Sequence, residues 1–97
     1  MLSKIPIKED LSTMSKEQVN SEILRAAIIA ELDAVNLYEQ LAAMTPDKNI
    51  KKILLDVAKE EKTHVGEFQA LLLNRDKEQV EELKAGKEEV KEETGEE

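Results

Sequence analysis

Residues 23–44 read ILRAAIIAELDAVNLYEQLAAM, and only six of these 22 residues are polar. Apolar residues follow one another at steps of three and four on nearly every side, which predicts a helix that is apolar almost all round. One antiparallel neighbour covers a single side of such a helix, so other apolar side chains stay in water unless a second chain covers them. We expect this of Ile28, Ile29, Leu32 and Val35. The sequence therefore predicts self-association.

The composition of the chain narrows its fold and its partners. Its 97 residues, 40% of them hydrophobic, suffice for one small domain. Aromatic residues make up only 2%, with three Gly and two Pro, so the composition favours an all-α fold over a sheet. The absence of Cys excludes disulfides and Cys-ligated metal sites. A net charge of -8 argues against nucleic acid and anionic lipid as partners.

The sequence carries no pattern typical of a targeting or membrane-spanning segment. Its longest unbroken apolar run covers residues 26–30, and signal peptides and membrane helices need much longer runs. We therefore expect a soluble, cytoplasmic protein without a membrane partner.

Capping and turn signals define a helical hairpin over residues 15–75. The sequence SKEQ at residues 15–18 matches a capping box, which predicts that a first helix begins there and ends near residue 44. At the turn, we expect Thr45 to cap the second helix and Pro46 to take its first position. The second helix is then predicted to end near residue 75. So short a connection makes the two helices antiparallel neighbours.

The two flanks of the hairpin have different characters. Residues 1–14, with Ile-Pro-Ile at their centre, are predicted to form an extended arm, because proline disfavours a helix at and before its own position. Residues 76–97 hold ten acidic residues and four Lys, a net charge of -6 out of -8. We expect a short helix over residues 76–85. Residues 86–97 are predicted to be a disordered tail or linker, because they offer almost nothing to bury.

Three ionisable residues interrupt the apolar sides of the two long helices. Glu31 lies on the apolar side of the first helix, and Glu61 and His64 lie on that of the second. Glu31 is 14 residues before Thr45 and Glu61 is 15 residues after Pro46, so an antiparallel hairpin places both at the same level. His64 follows Glu61 by about one turn and shares its side. A carboxylate buried in such a place needs an ion, a hydrogen-bond network or water.

These three residues are half of a known metal-binding arrangement. Di-iron carboxylate bundles use a Glu from each of two helices and a Glu-x-x-His from each of two others. The chain has one His, so a second copy related by a two-fold axis would supply the other half. We therefore expect two hairpins to form a four-helix bundle with a metal pair at the subunit interface. A buried Glu and His hydrogen-bond network without metal is the alternative.

Four further polar residues have other predicted roles. Tyr38 follows Glu31 by seven residues on the same side, where it could hydrogen-bond near the site, act in redox chemistry, or pack in the core. Glu60 and Glu67 lie off the apolar stripe and are predicted to be solvated. Asp33 lies about 200° around the helix from Glu31. It therefore cannot join the same site within one chain and could only line an approach path to the site or another interface.

Residues 30–40 (AELDAVNLYEQ) and 59–68 (KEEKTHVGEF) resemble encapsulated ferritins, the two-helix members of the ferritin-like superfamily, and the likeness covers residues 15–85. The resemblance implies a di-iron ferroxidase centre across a dimer interface and five dimers in an open decameric ring. It also implies residence inside an encapsulin nanocompartment, where iron mineral accumulates. The implied iron ligands are Glu31, Glu61 and His64, with Tyr38 beside the centre.

The sequence also departs from that family. Asp33 matches an acidic residue that attracts incoming iron, but Ala30 stands where another acid is often found. Many members end in a short apolar and basic peptide that docks to the encapsulin shell protein, and nothing after residue 75 resembles it. The chain is then either cargo recruited in another way or the N-terminal part of a shell fusion.

The resulting functional prediction is a ferroxidase that oxidises Fe(II) to Fe(III) for iron storage. A rubrerythrin-like or manganese-containing site that reduces peroxide is one alternative, although a rubredoxin-type Cys motif is absent from the sequence. A non-catalytic helical assembly module with a structural metal is another. Two carboxylates and an imidazole suit Fe, Mn, Zn and Co alike.

Overall fold

The structure is a computed structural model that describes residues 14–97. It contains three helices, α1 (Lys16–Met44), α2 (Lys48–Leu73) and α3 (Lys77–Thr94), and no strand within the described range. The all-α prediction is confirmed. The predicted extended arm falls on residues 1–14, which lie outside the described range except for Met14. None of the described helices is long and apolar enough to cross a membrane.

The predicted capping box starts α1. The backbone amide of Gln18 donates to Oγ of Ser15 at 3.1 Å, and the backbone amide of Ser15 donates to Oε1 of Gln18 at 2.8 Å. These bonds satisfy amides that have no partner within the helix. The helix ends at Met44, as the sequence predicts.

The turn between α1 and α2 differs from its prediction, because Asp47 rather than Thr45 caps α2. The backbone amides of Asn49 and Ile50 donate to Oδ1 of Asp47 at 2.9 and 3.0 Å. Oγ1 of Thr45 accepts only from the amide of Asp47, at 3.1 Å. A carboxylate carries full charge at the positive end of the helix dipole, so it is the stronger cap. Pro46 therefore precedes the helix instead of opening it.

The core between α1 and α2 is thin. Its buried apolar residues are Ala34, Val35, Ala42, Ala58 and Leu72, three of which are alanine. Small side chains allow the two backbones to approach closely. The expectation that Val35 would stay in water is wrong, because it packs against α2, whereas Ile29 and Leu32 are exposed as expected. Ile28 is half-buried.

The third helix is longer than the sequence predicts. α3 runs to Thr94, so most of the stretch predicted to be disordered, residues 86–97, is helical. Local interactions explain the difference: Glu and Lys are strong helix formers, and both ends are capped. Oδ1 of Asp76 accepts from the amide of Gln79 at 3.0 Å. At the other end, Gly95 adopts the left-handed conformation with φ 77°, which ends the helix.

α2 ends at Leu73, two residues before the predicted position. The connection to α3 is anchored to the first helix, because Nη1 of Arg25 lies 3.5 Å from Oδ2 of Asp76. α3 therefore starts beside the N-terminal half of α1.

Candidate metal centre

Glu31 of α1 and Glu61 and His64 of α2 meet at one point of the hairpin. Each offers one ligand atom, and these atoms all lie within 4.8 Å of one another. Nδ1 of His64 lies 3.4 Å from Oε2 of Glu31 and 3.5 Å from Oε2 of Glu61. The described residues contain no other group of three or more acidic, His or Cys side chains with this geometry. The structure thus brings the three residues together as their numbering predicts.

Regular helix geometry creates this cluster. Glu61 and His64 are three residues apart, so they lie one above the other on α2. Glu31 reaches the same level because the connection between the helices is only three residues long. Ala34 and Ala58 are buried about one turn from this level, and their small side chains allow the two helices to approach closely there.

The cluster is partly removed from water. The side chains of Glu31 and Glu61 are 21% and 18% exposed, and that of His64 is 43% exposed. Oε2 of Glu31 is shielded from solvent and accepts no hydrogen bond from residues 14–97. The contact with Nδ1 of His64, at 3.4 Å, is longer than a typical hydrogen bond. Such a shielded carboxylate oxygen is costly unless a cation or proton compensates it.

The donor set fits a transition-metal cation. Carboxylate oxygen and imidazole nitrogen together suit iron, manganese, cobalt and zinc. Three donors fill only part of a coordination sphere of four to six. The more exposed His64 lies at the open edge of the cluster, so further ligands could approach from outside this chain.

The other predicted site residues lie outside this cluster. Tyr38 is half-buried and about 10 Å of helix rise beyond Glu31. Asp33 is half-buried on the opposite side of α1. Glu60 and Glu67 are exposed, as expected for solvated surface residues.

Glu22, which the sequence pattern does not single out, has one carboxylate oxygen shielded from solvent. It lies on the side of α1 that faces away from α2, eleven residues before Asp33. The spacing of eleven residues, which is about three helical turns, places Glu22 and Asp33 on the same side of α1 and is the signal that the sequence offers.

Comparisons with known proteins agree with the all-helical fold of the chain. The family model described as Rubrerythrin matches residues 22–96. A solved structure, the crystal structure of the encapsulated ferritin domain from Pyrococcus furiosus, superposes with a TM-score of 0.83 at 60% sequence identity. That alignment covers 100% of this chain and 97% of the other.

A curated relative from Pyrococcus furiosus is named ferritin-like-encapsulin shell fusion protein. It is 70% identical over 81 residues, which are 84% of this chain and 23% of the relative. The chain thus spans about a quarter of that protein. From the family match over most of its length and the likeness to a solved encapsulated ferritin domain, the chain belongs to the rubrerythrin family of ferritin-like proteins and, within it, to the encapsulated ferritins.

Proposed function

We propose that this protein is a ferroxidase that oxidises Fe(II) to Fe(III) at a di-iron centre shared by two copies of the chain. The observation that carries the proposal is the cluster of Glu31, Glu61 and His64, in which one carboxylate oxygen of Glu31 is shielded from solvent and accepts no hydrogen bond from the described residues. Family membership supports an iron-related role.

The need for a second copy follows first from ligand number. One chain supplies two carboxylates and one imidazole, whereas di-iron bundles use four carboxylates and two imidazoles. A two-fold axis beside the cluster would double each ligand and complete both coordination spheres.

Exposed apolar residues mark the side of the hairpin where that copy would bind. On α2, Ile53 and Leu71 are exposed and are 11 and seven residues from His64, which places them on the same side as the imidazole. On α1, Ile23 and Leu41 are exposed as well. Ile23 and Leu71 line one shallow cleft, so the two helices present these residues on a common side. We call this side, defined by Ile23, Leu41, Ile53 and Leu71, the open face.

The spacing on the open face fits an antiparallel dimer. Ile23 lies eight residues from Glu31 towards one end of the hairpin, and Ile53 lies eight residues from Glu61 towards the other. Leu41 and Leu71 each lie ten residues away, again at opposite ends. A two-fold axis through the cluster therefore sets Ile23 against the partner's Ile53 and Leu41 against the partner's Leu71. The same operation joins the two half-sites.

The chain's own residues would hold and tune iron. Four carboxylates from two chains balance the charge of two Fe(II) ions, and their negative charge favours the ferric state. When bound, a pair of Fe(II) ions supplies two electrons, which reduce oxygen or peroxide. His64 contributes one nitrogen ligand per iron and lies at the open edge of its own half-site. The apolar open face would exclude water from the joined cluster.

Storage of the product requires a container. Residues 14–97 form one hairpin and a third helix, which leave no room for mineral inside a single chain. One relative is named as a fusion with an encapsulin shell. We infer that this domain works as part of a decameric ring inside an encapsulin nanocompartment in the cytoplasm, as cargo or as one end of such a fusion.

Peroxide reduction is the second candidate, because the matching family model is that of rubrerythrin. A non-catalytic assembly module with a structural metal is the remaining alternative. Oxygen consumption and peroxide consumption in the presence of Fe(II) separate the three functions. A structural site consumes neither, and a peroxide-reducing site prefers peroxide.

Iron oxidation followed by absorbance tests the proposal. Glu31→Ala and His64→Ala should abolish most of the rate, because each removes a ligand from both half-sites. Glu67→Ala is the matched control, since Glu67 is exposed on the same helix as His64. Undiminished oxidation in the two ligand variants would reject the assignment.

A further inference from the structure

A cleft separates α3 from the helical hairpin. Within the described range, no Cα atom of α3 lies within 8 Å of one in α1, so these two helices do not pack against each other. The space between them has a volume of about 270 Å³, and we call it the α3 cleft. Its apolar lining consists of Ile28, Ile29, Leu72, Leu73 and Leu83. Apolar surface left open in this way is typical of an interaction site.

The α3 cleft lies on a different side of the hairpin from the open face. Ile28 is about 140° around α1 from Ile23, and Ile23 and Leu71 line a separate cleft. A second copy bound to the open face therefore leaves the α3 cleft uncovered. Another neighbour is needed to fill it.

The third helix carries an apolar stripe that it does not bury within its own chain. Leu83 and Val90 are seven residues apart, which places them on one side of α3, and they are 46% and 49% exposed. No residue of α3 is buried. Val90 lies about 10 Å along the helix from Leu83, and it does not line the α3 cleft. One chain thus has an open apolar cleft and an exposed apolar side chain that do not meet.

A second copy of the chain fits the cleft and the stripe by a single symmetry operation. A two-fold axis that is perpendicular to α3 and passes midway between Leu83 and Val90 sets two α3 helices antiparallel. It brings the partner's Val90 beside Leu83. Because Leu83 lines the α3 cleft, the partner's Val90 then enters that cleft, and the same contact is made in the other direction. Both clefts are filled by the one operation.

The charges beside the stripe suit the same arrangement. Arg25 and Gln79 also line the α3 cleft, and Arg25 forms one ion pair among the described residues, at 3.5 Å. That distance is long for a charge-assisted hydrogen bond, so the guanidinium can serve a second carboxylate. Glu93 lies three residues after Val90, so the two-fold axis sets it level with the position three residues before Leu83, next to Gln79. A carboxylate of the second copy is therefore placed within reach of Arg25.

We propose that two copies of the chain pack through antiparallel α3 helices, with Val90 of each in the α3 cleft of the other and Glu93 of each beside the other's Arg25. None of these residues belongs to the metal cluster or to the open face, so the contact is separate from the proposed ferroxidase centre. The contact is small. We therefore expect it to join pairs already formed through the open face, and not two single chains.

Disulfide trapping tests this geometry, because the natural sequence has no Cys. In Leu83→Cys/Val90→Cys the two thiols of one helix are about 10 Å apart along its axis, too far for a disulfide within the chain. Oxidation of the full chain with diamide should instead give a two-chain product with two disulfides, seen on a non-reducing gel. Each single variant should stay reduced, because the axis keeps identical residues of the two helices about three turns of backbone hydrogen bonds, or about 10 Å, apart.

Glu81→Cys/Glu88→Cys is the matched control for the trapping variant. It has the same spacing, and both residues are exposed on the side of α3 opposite the stripe. It should stay reduced. Equal cross-linking of the control would indicate random collision, efficient cross-linking of the single variants would indicate parallel helices, and no cross-link in the trapping variant would mean that another surface covers the stripe. Each of these results overturns the proposal.

A charge reversal at Glu93 tests the pairing with Arg25. Glu93→Arg in the trapping variant should lower the yield of cross-link at least about twofold, because it sets two cations against each other. Glu92→Arg is the control, since Glu92 lies about 200° around α3 from Val90. It should leave the yield unchanged. Equal yields in the two variants would reject the pairing.

Val90→Asp separates this proposal from the proposed function. Sedimentation of the full chain should show that assemblies larger than two chains fall apart into two-chain units, while the rate of iron oxidation per chain is unchanged. Far-ultraviolet circular dichroism checks that α3 remains helical, and Val90→Ile should keep the larger assemblies. If Val90→Asp also keeps them, the α3 contact is rejected. If the natural protein oxidises no iron, the ferroxidase is rejected, whereas the cross-link still decides the α3 contact.

Discussion

Nδ1 of His64 lies 3.4 Å from Oε2 of Glu31, across the interface between α2 and α1. The two residues are 33 positions apart in sequence, and they meet because the hairpin turn places them near the same level. The pair joins an imidazole nitrogen to a shielded carboxylate oxygen, and Glu61 adds a second carboxylate to the same point. Together the three side chains form the half-site of the proposed two-metal centre.

Loss of a ligand should weaken metal binding. His64→Ala should lower the affinity for Fe(II), measured by anaerobic calorimetric titration, by at least about tenfold, or about 1.4 kcal/mol. Glu67→Gln on the same helix should bind as the natural protein does. Equal affinity in the natural protein and His64→Ala would place the ligands elsewhere.

A charge on the open face should separate the dimer. Leu71→Asp forces a carboxylate into the proposed contact with the partner's Leu41, so sedimentation should shift towards single chains and iron oxidation should fall with it. Leu55→Asp is the control: Leu55 is 46% exposed and Leu71 45%, but Leu55 lies outside the open face. If both variants stay associated, the open face is not the interface.

In the absence of metal, the charge of Glu31 should lower the free energy of unfolding of the protein. Glu31→Gln removes the charge from a shielded site. The free energy of unfolding of the metal-free variant should therefore be higher than that of the natural protein by about 1 kcal/mol. Urea denaturation with chelator at a fixed protein concentration measures this. With Fe(II) present the order should reverse, because the natural protein gains binding energy that the variant lacks. If the Glu31→Gln protein were less stable than the natural protein in chelator, the idea that the charge of Glu31 serves to bind a cation would be contradicted.

A glycine within α3 tests whether that helix forms. A Cβ added at Gly86 meets nothing within 4 Å, so Gly86→Ala should stabilise the helix by about 0.5–1 kcal/mol. Far-ultraviolet circular dichroism should show more helix at elevated temperature. Gly95→Ala should have the opposite effect, since Gly95 has a positive φ of 77°. Were residues 86–94 disordered, neither substitution would change the spectrum.

Much of the fold follows from sequence because helix geometry is regular. The capping box fixes the start of α1, and a short turn then fixes which residues of α2 stand level with Glu31. The cluster with Glu61 and His64 is predictable on this basis alone. The identity of a bound metal and the proposed second half-site do not follow from sequence in this way, because they depend on groups outside one chain.

The predictions of the α2 cap and of the length of α3 were wrong for local reasons. Asp47 replaced Thr45 as the cap of α2 because two good capping residues compete within one turn, and composition does not decide between them. α3 extends to Thr94 because caps and helix formers sustain a helix that buries almost nothing.

Native mass spectrometry with and without Fe(II) is the decisive measurement for a metal centre shared by two chains, because it reads subunit number and bound metal together. We expect even-numbered assemblies that bind two irons per pair of chains. Single chains that bind iron by themselves, or paired chains that bind none, would contradict a site completed by two copies of Glu31, Glu61 and His64.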